Sequence, residues 1–264
     1  MPKSLNWKIF FILLAAAAFG LITILPYSLA LQARALEQVK LPMPLPLLLI
    51  LQITEQIVMF AIAIAIGLFF ANRTGLGLPI LERRLEGKSV WDKVRALLPI
   101  SIILGLVASF VIIGLDSYVF QPALKMQLGT QAAILTVKNT TTPAAWKGFL
   151  ASFYGAFDEE ILLRLCVMSM LAWLGHFLGK TADGKPTSAV LWSANILAAI
   201  LFGLGHLPIT ASLLPLTPLV VMRAIVLNGL AGIAFGYLYI KHGLESAMIS
   251  HFSADLVLHV LFAL

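Results

Sequence analysis

The chain consists of long apolar stretches separated by short polar connections. A helix needs roughly 20 predominantly apolar residues to cross the hydrocarbon core of a bilayer. Seven stretches have this length, and they cover residues 8–31, 45–71, 97–120, 147–178, 188–207, 217–240 and 245–264. The longest connections, residues 72–96 and 121–146, are too short to build a core of their own. The pattern predicts an all-α fold, a polytopic membrane bundle of seven or eight transmembrane helices, with residues 1–264 as a single membrane domain.

Composition and charge agree with this class. The chain is 60% hydrophobic and 11% charged, with a mean hydropathy of +0.98, which excludes an ordinary soluble globular protein. The net charge of +6 does not indicate nucleic acid, because the basic residues lie in short connections beside helices, where they orient the chain. With the N-terminus inside, inner segments hold eleven Lys and Arg residues against five outside, and the bias is strongest between Arg73 and Arg95. We therefore expect an N-inside membrane protein whose partner is the lipid bilayer.

A run of acidic residues interrupts the fourth stretch. Asp158, Glu159 and Glu160 are adjacent, and each charge at a helix centre opposes insertion by about 2.5–3.5 kcal/mol. Glu160 lies four residues before Arg164, the favourable order for an ion pair on one helix face. Glu159 points about 100° away and is left as a candidate general base. The alternative is that both glutamates pair with neighbouring helices and serve structural specificity alone.

Two later stretches each contain a polar constellation. Residues 202–206 read Phe-Gly-Leu-Gly-His, and the two glycines thin the helix so that a backbone or a substrate can approach. His251 and Asp255 are four apart on one helix face, where a carboxylate can fix the tautomer of the ring. His259 follows four residues later and is expected to be a packed or interfacial histidine. A lone intramembrane histidine is usually a core residue, but three constellations on three helices point to a shared site.

These three motifs, EExxxR, FxxxH and HxxxD in that order, resemble the CPBP family, the ABI-type, CAAX-prenyl-protease-like intramembrane glutamic endopeptidases. Further agreement comes from Gly75-Leu76-Gly77 with Pro79 before the third helix, and from Gly243-Leu244-Glu245-Ser246-Ala247 before His251. The resemblance covers roughly residues 74–264. It implies a peptidase that uses neither a metal nor another cofactor, acting on a membrane-associated peptide or protein, with or without a lipid group. The single-domain form and the short connections are typical of prokaryotic proteins, so we expect a bacterial cytoplasmic membrane.

The resemblance also implies a role for each residue. Glu159 would activate a water molecule that His206 helps to hold, and Glu160 with Arg164 would form a structural pair. His251 would stabilise the oxyanion of the tetrahedral intermediate, which is often the largest catalytic contribution. Many family members have Asn at the position of Asp255. An ionised Asp cannot donate a hydrogen bond, so we expect it to orient His251 and to stabilise its protonated form.

The same residues are also compatible with other functions. A zinc-dependent membrane protease could use His206, His251 and a carboxylate, although the chain has no HExxH motif and Arg164 would repel the cation. A transporter is suggested by intramembrane acids, including Glu55 in the second helix, which we expect to face the polar interior of the bundle. No inverted repeat supports a transporter. A non-catalytic scaffold is the remaining alternative.

One feature opposes a shared site. Counted from the predicted helix ends, Glu159 lies nearer the inner face, whereas His206 lies near the outer end of the fifth helix. For the two side chains to meet, that helix would have to begin later, tilt or bend.

Overall fold

The computed structural model describes residues 5–38, 40–127, 129 and 143–263, and these residues form helices without any β-strand. The predicted all-α helical bundle is thereby confirmed. The α-helices are α1 (Trp7–Thr23), α2 (Leu25–Leu31), α3 (Ala33–Gln38), α4 (Leu45–Thr74), α5 (Pro79–Leu85), α6 (Trp91–Leu115), α7 (Ala145–Tyr154), α8 (Ser169–Gly175), α9 (Ser188–Gly205), α10 (Leu207–Leu213), α11 (Pro218–His242) and α12 (Leu244–Asp255).

Several helices continue through wider, π-type turns, in which each N–H bonds to the carbonyl five residues earlier. These turns cover Asp116–Phe120, Gly155–Glu159, Ile161–Met168 and Leu256–Val260. Two of them join α7 to α8, so residues 145–175 form one helical run. The last turn of the described chain, Leu261–Ala263, is a 3₁₀-helix.

Within the described residues, five helical runs are long and apolar enough to cross a membrane: Trp7–Leu31, Leu45–Thr74, Trp91–Gln127, Ser188–Leu213 and Pro218–His242. The two other predicted spans are also helical, as the run of residues 145–175 and as α12 with the turns that follow it. Large apolar side chains such as Phe11, Ile62 and Phe110 are exposed on the outside of the bundle. Such a surface is suited to lipid.

Most of the polar groups discussed above lie in the interior of the bundle. Glu55 is exposed on the surface of α4, so the expectation that it faces the polar interior is wrong. At the opposite extreme, Asp158 is fully buried, and neither of its carboxylate oxygens has a hydrogen-bond partner among the described residues. It lies against Gly20 of α1, where a Cβ atom would collide with the carboxylate.

The fifth span is longer than the sequence suggested, and this places His206 inside the bundle. α9 and α10 form one helical run that continues to Leu213 and breaks at His206, two residues before Pro208. Since the connection of residues 176–187 joins Gly175 to Ser188, both helices can be measured from the same side. His206 lies 18 residues after Ser188 and Glu159 lies 16 residues before Gly175, so the two residues lie at a similar depth. The expected mismatch in depth is therefore wrong, because the predicted span ended too early.

The two glycine-containing segments that accompany the motifs contact each other. Leu244 N–H donates to the Gly77 carbonyl at 2.9 Å, and a Glu245 carboxylate oxygen accepts from Ile80 N–H and Leu81 N–H. Gly243 ends α11 at φ 92°, in the left-handed region that favours glycine. This junction fixes the start of α12, the helix that carries His251.

Candidate active site

Glu160 and Arg164 form the buried base of the site. Glu160 Oε1 lies 3.1 Å from Arg164 Nη1, and the two side chains are 0% and 1% exposed. Arg164 Nη2–H also donates to the Gly232 carbonyl of α11 at 2.9 Å. The guanidinium lies over the rings of Phe202 and Phe235, with 5.1 and 5.6 Å to their centroids. The predicted pairing is confirmed, and it brings three helices together around one cation.

His251 is oriented by the same carboxylate. Its Nδ1–H donates to Glu160 Oε1 at 2.8 Å, a tautomer that we assign from this contact because the ionised carboxylate can only accept. The ring stacks on Phe235 with centroids 4.5 Å apart and an interplanar angle of 23°. Asp255 Oδ1 lies 3.7 Å from His251 Nε2, too far for a direct hydrogen bond. The orienting hydrogen bond therefore comes from Glu160, and Asp255 contributes electrostatically.

Glu159 lies between the two histidines. Its Oε1 is 3.9 Å from His206 Nε2, and its Oε2 is 3.5 Å from His251 Nε2. Unlike Glu160, the Glu159 side chain is 21% exposed, and that of His206 is 29% exposed. His206 Nδ1–H donates to the Phe202 carbonyl at 2.9 Å, which leaves Nε2 of the neutral ring as an acceptor. The predicted acid and both histidines thus meet at one accessible position.

The two glycines that precede His206 differ in how closely they are packed. A Cβ atom at Gly203 would lie 2.5 Å from the Cα of Ile225, so this glycine allows α9 and α11 to pack closely. A Cβ atom at Gly205 would meet no packed neighbour within 4 Å among the described residues. The predicted close approach is confirmed for Gly203 alone.

Gly155 is a site residue that the sequence motifs did not reveal. A Cβ atom here would lie 2.9 Å from His251 Nε2 and would collide with Asp255 Oδ2. Gly155 begins the first wide turn of the helical run of residues 145–175 and precedes Glu159 by four residues, a spacing that puts both on one face. The four-residue spacing from Glu159 is the sequence feature by which Gly155 could have been identified. Phe235, which stacks on His251, has no comparable signal, because an aromatic residue in an apolar helix is ordinary.

Within the part of the chain that the structure describes, no three His, Cys, Asp or Glu side chains are arranged to hold a metal ion. The metal-free and cofactor-free character implied by the resemblance stays a prediction.

Comparison with known proteins bears on the same region. Residues 141–257 match the family described as "Rce1-like: Type II CAAX prenyl endopeptidase Rce1-like". No curated protein and no solved structure shows significant similarity to the chain. The matched range contains Glu159, Glu160, Arg164, His206 and His251, and also Asp255. Apolar helices and this family together mark an integral membrane protein. The predicted resemblance is thereby confirmed, since the segment that carries the site matches the Rce1-like type II CAAX prenyl endopeptidases of the CPBP family.

Proposed function

We propose that this protein is an intramembrane endopeptidase that hydrolyses peptide bonds of membrane-associated substrates, with Glu159 as the general base that activates water. The family match supports a CAAX-type intramembrane protease. The role of Glu159 is argued from the geometry of the site.

The observation that carries the proposal is a pair of acceptors facing each other. Glu159 Oε1 and His206 Nε2 are 3.9 Å apart, and neither can donate to the other when the ring is neutral. A molecule with two O–H donors satisfies both, and water has this property. A polar separation of this size is typical of groups bridged by water. Both water hydrogens are then directed to the protein, so a lone pair of its oxygen is free to attack a carbonyl carbon.

The reaction follows from this arrangement. Glu159 takes one proton from the water as the oxygen forms a bond to the carbonyl carbon, giving a tetrahedral intermediate. The carboxyl group of Glu159 then returns that proton to the amide nitrogen, and the C–N bond breaks. The products are a carboxylic acid and an amine, and Glu159 is again ionised. General base catalysis of this kind contributes typically 10²- to 10⁴-fold.

His251 is placed to stabilise the oxyanion of the intermediate. With Nδ1–H held by Glu160, a doubly protonated ring presents Nε2–H toward Glu159 and the reacting group. Arg164 pairs with Glu160 at 3.1 Å, and stacking on Phe235 fixes the plane of the ring. A donor that is oriented before the reaction begins is worth more than one that must reorganise. Asp255, at 3.7 Å, adds a negative charge that favours this form of the ring.

The remaining aspects of the function are proposed from the family and the sequence. The substrate is a membrane-associated peptide or protein, and a prenylated C-terminal segment is the first class to test. The chain works in a bacterial cytoplasmic membrane with its N-terminus inside, and it binds no nucleic acid.

The test is cleavage by detergent-purified protein of a farnesylated CAAX peptide and of a diverse set of internally quenched peptides. Glu159→Gln keeps the shape of the side chain but removes the base, so cleavage should fall roughly 10²- to 10⁴-fold. The matched control is Glu55→Gln, at an exposed position on α4, which should cleave like the wild type. Thermal unfolding of all three proteins checks that they are folded.

Three outcomes would contradict the proposal. Full activity of Glu159→Gln would exclude this residue as the base. Loss of wild-type cleavage on exhaustive chelation, with recovery on adding zinc, would indicate a metalloprotease. If folded wild-type protein cleaves no peptide of either set, the scaffold function is favoured.

A further inference from the structure

Asp255 joins the site to a second histidine. Its Oδ1 atom lies 3.7 Å from His251 Nε2 and 3.8 Å from His259 Nε2. The three residues occur at intervals of four along the last helix, so they form a His–Asp–His row on one face. The other carboxylate oxygen, Oδ2, faces Gly155, where the Cβ atom of any larger residue would collide with it.

The far end of the row is held by a tyrosine from the first part of the chain. Tyr27 of α2 has its hydroxyl oxygen 3.2 Å from His259 Nδ1, and the two rings meet edge to face with centroids 5.4 Å apart. When the hydroxyl donates to Nδ1, the neutral ring carries its proton on Nε2 and turns this N–H toward Asp255. At 3.8 Å the contact is electrostatic and too long for a direct hydrogen bond, like the contact of Asp255 with His251. Tyr27 thus selects the tautomer of His259 that suits a carboxylate.

After Asp255 and Tyr27, a third contact, with α7, also fixes the position of His259. The backbone carbonyl of His259 lies so close to Gly148 of α7 that a Cβ atom there would collide with it. The titratable groups that interact with this row are Tyr27 from α2, Glu159 and Glu160 from the helical run of residues 145–175, His206 between α9 and α10, and His251 on the same helix. Among the residues that the structure describes, the His259 ring has no other hydrogen bond or ion pair, and its two nitrogens face Tyr27 and Asp255.

We infer that Tyr27 and His259 are positioning residues of the peptidase, which hold the Asp255 carboxylate in line with His251 and so connect the N-terminal helices to the active site. The inference rests on the proposed function for its effect on catalysis, but not for the connection itself. Neither residue lies within the family-matched range of 141–257. Neither touches the position proposed for the water, so both act through Asp255.

The connection is tested first without any substrate. Nitrogen NMR of histidine-labelled protein in detergent reports the tautomer and protonation of each of the five rings, which are assigned with single His→Gln variants. Tyr27→Phe removes only the hydroxyl. It should shift the ring signals of His259 and, through Asp255, those of His251. Tyr118→Phe, at a position that is 85% exposed, should shift neither.

The direction of the effect is tested by removing the middle of the row. In an Asp255→Asn background, Tyr27→Phe should still change His259 but should leave His251 unchanged. Unchanged His251 signals in Tyr27→Phe alone would overturn the inference, whether or not the protein cleaves peptides.

Kinetics then test the consequence for catalysis. Tyr27→Phe and His259→Gln should each lower kcat roughly 2- to 12-fold, the range that one hydrogen bond supports, with KM unchanged because neither residue touches substrate. The double variant should lose no more than the larger single loss, since the two residues act in series. Multiplied losses, or a change confined to KM, would overturn the inference. If the NMR coupling is present but no variant or wild type cleaves, the connection stands and the proposed function fails.

Discussion

Neutralising the buried pair of Glu160 and Arg164 one side at a time should be far more damaging than neutralising both. The two charges are 3.1 Å apart and almost completely buried, at 0% and 1% exposure. At an effective dielectric constant of about 20, the Coulomb attraction at this distance is about 5 kcal/mol. Glu160→Gln leaves a buried cation without its counterion, and Arg164→Met leaves a buried anion. Each change should destabilise the fold by about 3–5 kcal/mol.

The double variant Glu160→Gln/Arg164→Met should cost less than either single change. It contains no unpaired charge, and the Gln oxygen can still accept from His251 Nδ1–H. The remaining loss is the hydrogen bond to the Gly232 carbonyl, about 1–3 kcal/mol for a buried group left without a partner. The double-mutant cycle of wild type, the two single variants and the double variant therefore predicts a coupling free energy of about 5 kcal/mol, close to the Coulomb value.

The assay is the free energy of unfolding in mixed micelles, followed by loss of helical circular dichroism for the four proteins of the cycle. The control cycle uses Glu86→Gln and Lys88→Met, whose charged atoms are only 2.6 Å apart but whose side chains are 52% and 59% exposed. That coupling should be below about 1 kcal/mol. Additive losses at Glu160 and Arg164, with coupling no larger than in the control, would refute the reasoning that burial gives this pair its strength.

Three further substitutions have defined outcomes. Gly155→Ala should lower kcat without unfolding the protein, because its Cβ atom would lie 2.9 Å from His251 Nε2 in the active site. The control is Gly205→Ala, whose Cβ atom would enter open space and which should cleave normally. Gly20→Ala should reduce the free energy of unfolding by about 1–3 kcal/mol through overpacking, and adding Asp158→Ala should restore part of this loss. Arg223→Lys should lower the same quantity by about 1 kcal/mol, because lysine cannot reproduce the two-point contact of 2.6 and 2.8 Å with its aspartate on the turn after α6.

Local spacing explains what could be predicted from the sequence. The pairing of Glu160 with Arg164 depends only on helical geometry, because residues four apart share a face wherever the helix lies. The fold class is predictable for a related reason, since in lipid the backbone must satisfy its hydrogen bonds internally and long apolar stretches become helices.

Contacts between helices were not predictable in the same way. The depth of His206 depends on where its helix ends, and the apolar pattern gave no reason to continue the fifth span to Leu213. The hydrogen bond from His251 to Glu160 joins residues 91 positions apart, and a carboxylate already paired with one cation has free lone pairs that no motif assigns. The steric role of Gly155 appears only when α12 is packed against it.

The wide turns in the helical run of residues 145–175 make this run sensitive to the loss or gain of a single residue. From Gly155 to Met168 the helix is wider than an α-helix, so its residues are not spaced at the ordinary angle. Deleting a single residue between Glu160 and Arg164 would reduce their spacing from four residues to three, which changes the angle between them by about 100° around the helix axis. Glu159 and Arg164 could then no longer face their present neighbours together, although every motif residue would still be in the chain. In this stretch, a gap in an alignment is as informative as a lost glutamate, whereas the connection of residues 176–187 should accept gains and losses of residues.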